Sequence, residues 1–209
     1  MKPMISKRAL VRLAAGLFVA GGLSACDQLG LGGGGKPVFK GVDLTGAEYA
    51  RSLNLPDQDG RNRSLADFKG KVLVVFFGYT QCPDVCPTTM AELAEVKRSL
   101  GPDGDRVQGI FVSVDPERDT APLLKAYLAS FDPSFVALRG SEEQIKAAAK
   151  EFKVYFAKVP GKTAESYTMD HTAASFIFDT QGRVRVFSRY GSGAQALGED
   201  IKMLLAEKS

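Results

Sequence analysis

The sequence contains few of the side chains that bind soft metals. Its 209 residues include three cysteines and one histidine. Cys26 directly follows a predicted leader, which leaves Cys82, Cys86 and His171 for the folded part of the chain. Because structural zinc is held by four protein ligands, these three residues are too few for a structural zinc site.

Long apolar runs are also lacking. The leader has basic residues up to Arg12 and then a mostly apolar stretch, Leu13–Leu23, which is shorter than the roughly 20 residues that span a membrane. A basic start followed by a short apolar stretch and small residues indicates a secretory signal. The stretch ends in Leu23–Cys26 (LSAC), which resembles a bacterial lipobox. This resemblance implies cleavage before Cys26 and a diacylglycerol on its sulfur; the alternative is an ordinary signal peptide with a chance cysteine.

The excess of positive charge belongs to the leader. The whole chain has a net charge of +3, with 27 lysines and arginines against 24 acidic residues. Four of the basic residues precede Asp27, so 23 remain against the same 24 acidic residues, a net charge of −1. No basic patch remains that would attract nucleic acid. We therefore expect no nucleic-acid partner.

The chain divides into three predicted segments. We expect a lipoprotein signal peptide over residues 1–25, a lipidated cysteine with a glycine-rich tether over 26–37, and one domain over 38–209. A flexible tether of this length reaches about 15–18 Å on average. Asp27, directly after Cys26, resembles a signal that retains lipoproteins in the inner membrane of Gram-negative bacteria. The predicted location is therefore the periplasmic side of the inner membrane, with the protein held there by its lipid.

Strand and helix patterns alternate along the domain. The apolar, β-branched run Val72–Phe77 (VLVVFF) is typical of a strand buried on both faces, and Gln108–Val114 resembles it. Helical spacing follows the first strand over Thr88–Leu100. Further predicted elements are a hairpin of Ala50–Leu55 with Gly60–Ser64, helices ending near Leu128 and Glu151, a strand Phe135–Leu138, a hairpin of Ala173–Asp179 with Arg183–Tyr190, and a helix Gln195–Glu207. This order predicts an α/β fold, a thioredoxin-like three-layer sandwich with an N-terminal β-hairpin extension.

Two cysteines stand where the first core strand gives way to a helix. Cys82 and Cys86 lie in the motif CPDVC, at or just before the predicted helix N-terminus. Unpaired backbone N–H groups and the helix dipole favour a thiolate there. If the turn that holds them is helical, a spacing of three intervening residues places both sulfurs on one helix face. The pair could hold a metal, exchange with a disulfide or do both; two inert thiols or a permanent disulfide remain the alternative.

The single histidine follows in a polar segment. His171 lies in SYTMDHTA, predicted as a loop before the strand near Ala174. A lone histidine is often a surface or core residue, but in a thioredoxin-like arrangement this loop packs beside the cysteines. Asp170 is a candidate for orienting the imidazole, with a turn role as the alternative. Asp115, in the string SVDPERDT after the second core strand, is a second candidate neighbour of the site, although turn formation and helix capping also explain that string.

Two thiolates and one imidazole suit copper. Soft sulfur ligands favour Cu(I), which accepts three ligands, and imidazole also suits Cu(II) when further ligands are added. The helix N-terminus would offset the excess negative charge of two thiolates.

Three motifs together resemble one family. GYTQCPDVCP, SVDPERDT and YTMDHTA, in this order and spacing, are similar to the Sco/SenC proteins, copper chaperones of cytochrome c oxidase assembly. The resemblance runs from about Tyr49 to Leu205. It implies a thioredoxin-like fold, a membrane-anchored domain facing the periplasm and copper bound by Cys82, Cys86 and His171.

The resemblance implies a role at the dinuclear Cu(A) site of the oxidase. We expect a metallochaperone rather than an enzyme, with the Cu(A) subunit or another copper chaperone as its partner. The competing hypothesis is a thiol–disulfide oxidoreductase that reduces the cysteines of the copper target, with Cys82 and Cys86 as its redox-active thiols. Peroxidase activity ranks last, because the sequence shows no groups that would support it.

Overall fold

A computed structural model describes residues 38–163 and 166–207. The predicted signal peptide, Cys26 and the tether to residue 37 lie outside these described residues. Within them, no helix is both long and apolar enough to cross a membrane.

Ten strands and four α-helices form the described part of the chain. The strands are β1 Val42–Asp43, β2 Asn54–Pro56, β3 Asn62–Ser64, β4 Val72–Gly78, β5 Val107–Ser113, β6 Val136–Leu138, β7 Phe156–Pro160, β8 Tyr167–His171, β9 Ala174–Phe178 and β10 Val184–Arg189. The helices are α1 Val85–Ser99, α2 Ala121–Ala129, α3 Glu142–Glu151 and α4 Gly193–Ala206. Short 3₁₀ helices cover Leu65–Phe68 and Gly101–Arg106.

A six-stranded mixed sheet in the order β1-β10-β9-β4-β5-β6 is the centre of the fold. The strands β4, β5 and β6 are parallel, whereas β9 runs antiparallel to β4 and β10 antiparallel to β9. Every residue of β4, β5 and β9 is buried, as their continuous apolar runs predicted.

Side chains of β4 alternate between two packed layers. The ring of Phe77 packs against Phe152, which directly follows α3, with centroids 5.2 Å apart. On the opposite face Phe76 contacts Phe111, and Phe111 contacts Tyr127 of α2. Phe76 also lines a crevice with side chains of α1 and α4. Helices therefore cover both faces, and the predicted sandwich is confirmed. The predicted N-terminal hairpin is the pair β2–β3, and a capping box at Ser141 begins α3.

One predicted loop is a strand. The segment predicted as a polar loop before Ala174 forms β8, which pairs antiparallel with β7 as a separate two-stranded sheet. Its burial alternates: Met169 is buried, while its neighbours Thr168 and Asp170 are exposed. The prediction of a loop was wrong because a half-exposed two-stranded ribbon carries polar residues on every second position.

The sheet register brings the two ends of the site together. In β4–β9 pairing, Phe76 lies opposite Ser175, so the start of β9 meets the carboxyl end of β4. His171 comes three residues before β9, and the cysteine loop follows β4 directly. Because β9 is antiparallel, the segment at its amino end lies at the same sheet edge as the cysteines.

Candidate metal centre

The three predicted ligands converge at this edge of the sheet. One ligand atom from each of Cys82, Cys86 and His171 lies within 4.8 Å of the other two. The Cys86 Sγ is 3.4 Å from the His171 Nε2. Metal bonds of about 2.0–2.3 Å to sulfur and nitrogen would place such atoms about 3.5–4.5 Å apart. The arrangement thus needs only small shifts to enclose one ion.

The cysteine loop is held by its own backbone. The amide of Cys82 donates to the carbonyl of Tyr79 at 3.3 Å, which closes a turn after β4. Cys86 is the second residue of α1, and its amide donates to the Sγ of Cys82 at 3.4 Å. The prediction that both thiols lie at or just before a helix N-terminus is confirmed. One unpaired N–H group of that terminus points at a sulfur, as expected for an anionic ligand.

Gly78, the last residue of β4, leaves the room that the Cys86 sulfur fills. A Cβ on Gly78 would lie 2.8 Å from the Cys86 Sγ and 2.7 Å from a ring carbon of Phe76. The sulfur therefore packs directly against the main chain of the central strand, where only glycine fits.

The two thiols differ in exposure. Cys86 is fully buried, whereas Cys82 is half-buried, and both are free thiols. Burial strongly raises the pKa of Cys86, an effect that outweighs the backbone hydrogen bond from Tyr79, which lowers it. The expectation that the helix N-terminus would make this thiol ionise readily was therefore wrong for Cys86. Desolvation is the largest cause of the shift, because a buried sulfur loses the solvation that a thiolate needs.

His171 ends β8 with its ring wedged between aromatic side chains. Its centroid lies 5.7 Å from that of Phe76 and 6.0 Å from that of Tyr79, both in edge-on contacts. The Nδ1 atom lies 3.2 Å from the carbonyl oxygen of Thr172. A proton on Nδ1 that donates to this carbonyl leaves the lone pair of Nε2 facing the sulfurs, the form that binds metals. Burial lowers the pKa of His171, which keeps the ring neutral at neutral pH.

The two predicted neighbours of the site lie further out. Asp170 is exposed, and the hydrogen-bond partner of the His171 Nδ1 is the carbonyl of Thr172 instead. Asp170 acts on the imidazole through its charge, which raises the pKa of His171 and so opposes the larger effect of burial. Asp115 is buried and pairs with Arg118, whose guanidinium lies 5.8 Å from the ring centroid of Tyr79. Asp115 therefore reaches the site through two other side chains.

Asp119 is a structural centre that the sequence pattern did not reveal. Asp119 directly precedes Thr120, which is the N-cap of α2 and makes no side-chain cap bond. The carboxylate of Asp119 is fully buried and accepts hydrogen bonds from the amide and hydroxyl of Thr80 and from the hydroxyl of Ser113. It thereby ties the end of β5 to the start of the cysteine loop. An aspartate next to turn residues gives no sign of such burial.

The donor set fits copper. Two sulfurs and one imidazole nitrogen are the soft and intermediate ligands that copper prefers in proteins. The ion would lie beside the half-buried Cys82, where a partner could reach it. The site is therefore chemically suited both to hold copper and to release it.

Comparisons with known proteins agree with this geometry. Residues 43–206 match the family model described as SCO1/SenC. A SCO2-like protein of Rickettsia felis is 36% identical over 132 residues, which cover 63% of this chain and 64% of that protein, so the chain spans less than two thirds of its length.

Solved structures extend the likeness to the fold. The copper-bound ScoI of Bradyrhizobium japonicum is 43% identical, with a TM-score of 0.67 over 74% of this chain and 98% of that one. A SCO1/SenC family lipoprotein from Bacillus anthracis is 27% identical, with a TM-score of 0.63 over 76% of this chain and 98% of that one. The predicted thioredoxin-like fold is confirmed.

Proposed function

The chain belongs to the SCO1/SenC family, and we propose that it is a copper metallochaperone that assists assembly of the Cu(A) centre of a cytochrome c oxidase. The convergence of Cys82, Cys86 and His171 at one sheet edge carries this proposal. The copper-bound state of a relative that is 43% identical supports the identity of the metal.

Copper is the cargo, and the chain supplies three groups to hold it. The neutral imidazole of His171 offers Nε2 without losing a proton, whereas the thiol of Cys86 must release one when the metal binds. Metal binding at such a site therefore releases protons and strengthens as the pH rises. Cys82 is the more exposed sulfur, so it is the ligand that a recipient's thiol would meet first during exchange.

We also propose that the domain works at the membrane surface. Residues 1–25 act as a lipoprotein signal peptide, Cys26 carries the lipid, and residues up to 37 tether the domain to the periplasmic side of the inner membrane. The lipoprotein of Bacillus anthracis supports this mode of attachment within the family. The parent chain should incorporate a labelled fatty acid in cells and the Cys26→Ser variant should not; a parent chain that stays unlabelled would refute the lipid anchor.

A copper titration tests the proposed metal site. The Cys26→Ser variant keeps only the two cysteines of the site, and a reductant keeps both as free thiols. This chain should bind one Cu(I) in competition with a chelator. Cys82→Ala and Cys86→Ala should each abolish stoichiometric binding, because one thiolate and one imidazole make a poor Cu(I) site. Unchanged binding in both variants would refute the metallochaperone.

The thiol chemistry of the same site favours a second function. Both cysteines are free thiols in neighbouring turns, and their sulfurs are close enough to form a disulfide after a modest rearrangement. In this reaction the dithiol of Cys82 and Cys86 would be oxidised to that disulfide while a disulfide of the copper target is reduced to two thiols, which another chaperone could then load. His171→Ala separates the two functions: copper delivery should fail in the variant, whereas dithiol exchange should persist.

A further inference from the structure

Arg118 contacts both segments that carry the candidate ligands. Its Nη1 donates to the side-chain oxygen of Gln81 at 3.0 Å, and Gln81 directly precedes Cys82. The same nitrogen donates to the carbonyl oxygen of Tyr167 at 2.9 Å, and Tyr167 begins the strand that His171 ends. One guanidinium thus bridges the cysteine loop and β8.

Stacking and an ion pair fix the orientation of this guanidinium. Its Nε donates to the buried carboxylate of Asp115, and its carbon lies 3.5 Å from the ring centroid of Tyr167 and 5.8 Å from that of Tyr79. The hydroxyl of Tyr167 donates to the other oxygen of Asp115 at 2.8 Å. The Arg118 side chain is only 20% exposed. A planar fork held on several sides has one geometry, which a flexible lysine cannot reproduce.

The position of His171 depends on such contacts. The β7–β8 hairpin is a separate two-stranded sheet and has no strand pairing with the central sheet in the described residues. Its placement relative to the cysteines therefore relies on the chain connection to β9, on the packing of the buried Met169 in the core, and on side-chain bonds. Arg118 supplies bonds to the first residue of β8, and it flanks Tyr79, whose ring makes the edge-on contact with the imidazole.

We propose that Arg118 is a positioning residue of the metal centre, which ties β8 to the cysteine loop and so holds the Nε2 of His171 within reach of the two sulfurs. This inference deepens the proposed function, since it concerns the same site with copper as its metal. It assigns a role to the string SVDPERDT beyond turn formation and helix capping.

The test compares Arg118→Ala and Arg118→Lys with Lys158→Ala in the Cys26→Ser chain. Lys158 is a matched control, because its ammonium also lies over the ring of Tyr167, at 4.2 Å, and pairs with Glu117 on the same loop. Removal of outer partners of metal ligands typically weakens metal binding by about 10–100-fold. We expect about a tenfold loss of Cu(I) affinity in Arg118→Ala and no change in Lys158→Ala. Arg118→Lys should not restore the affinity, because lysine keeps the charge without the fork.

Two further measurements separate positioning from general loosening. The Cu(II) EPR spectrum should lose its imidazole nitrogen coupling in Arg118→Ala and keep it in Lys158→Ala. The double variant Arg118→Ala/His171→Ala should bind Cu(I) no more weakly than His171→Ala alone, because Arg118 acts through His171. Additive losses, full affinity in Arg118→Lys, or an equal loss in Lys158→Ala would each overturn the proposal.

An NMR measurement distinguishes failure of this inference from failure of the proposed function. In the metal-free protein, nuclear Overhauser contacts between the rings of His171 and Tyr79 should weaken in Arg118→Ala and persist in Lys158→Ala. A parent chain that binds no copper would refute the metallochaperone while this readout still decides the role of Arg118. Unchanged ring contacts in Arg118→Ala would overturn the positioning role.

Discussion

Replacement of Gly78 by alanine should displace the Cys86 sulfur and weaken both the fold and the metal site. The new Cβ would lie 2.8 Å from the Sγ, 2.7 Å from a ring carbon of Phe76 and 3.0 Å from a ring carbon of Phe111. Heavy atoms of this kind pack best at about 3.5–4.0 Å. Both rings are buried and held by neighbours, so the sulfur and the first turn of α1 must move.

The expected cost is that of overpacking a core, about 1–3 kcal/mol of unfolding free energy. For a domain of this size each kcal/mol lowers the melting temperature by about 2–4 °C, so we expect a decrease of about 2–12 °C. Gly78 does not have a positive φ, and neither does Gly109, the control position described next. The cost of an alanine at either position is therefore steric and not backbone strain.

Gly109→Ala is the matched control. Its Cβ would meet the ring of Phe135 at 2.6 Å and a methyl of Leu93 at 2.9 Å, in the middle of β5 and away from the cysteines. Thermal unfolding and Cu(I) competition should show both variants destabilised, with weakened copper binding only in Gly78→Ala. Wild-type copper affinity in Gly78→Ala, or the same loss of affinity in Gly109→Ala, would refute the reasoning.

Three further predictions concern titration and the buried carboxylate. Burial lowers the pKa of His171, so the unfolded chain binds a proton at this residue more readily than the folded chain does. The stability of the metal-free protein should therefore decline as the pH falls below about 6.5. His171→Ala should flatten this part of the plot of urea midpoint against pH, and an unchanged slope in the variant would contradict the prediction. Burial raises the pKa of Cys86, so this thiol ionises at a lower pH in the unfolded chain than in the folded one. Stability should therefore decline as the pH rises above about 8.5. Cys86→Ser should remove this decline, and a decline that persists in the variant would disprove the prediction. Asp119→Ala leaves the hydrogen-bond donors of Thr80 and Ser113 without their acceptor, and should lower the free energy of unfolding in urea by about 1–3 kcal/mol; an unshifted midpoint would count against its structural role.

The core of the fold could be predicted from the sequence because its strands are buried on both faces. Runs such as Val72–Phe77 carry a continuous apolar signal, and the structure differs from the prediction there by a single residue at the end of β4. The β8 strand was missed because it belongs to a two-stranded ribbon. Its polar residues alternate with Tyr167, Met169 and His171. A period of two is a weak signal in a segment of only five residues, of which only Met169 is buried.

The ligand atoms could be predicted, but the groups that hold them could not. The family resemblance predicted all three ligands. The short spacing of Cys82 and Cys86 keeps their sulfurs close, and the antiparallel start of β9 brings His171 to the same edge. Arg118 and Asp119 act through tertiary contacts with segments 37 to 49 residues away, which no local pattern contains. The pKa of Cys86 follows the same rule, because its burial depends on residues that are distant in sequence.

X-ray absorption spectroscopy of the copper-loaded protein tests the central claim most directly. The account predicts two sulfur scatterers and one imidazole nitrogen around Cu(I) in the parent chain, and loss of the imidazole contribution in His171→Ala. A copper site with sulfur ligands alone that is unchanged in His171→Ala, or one without two sulfurs, would contradict the claim that these three side chains hold one ion.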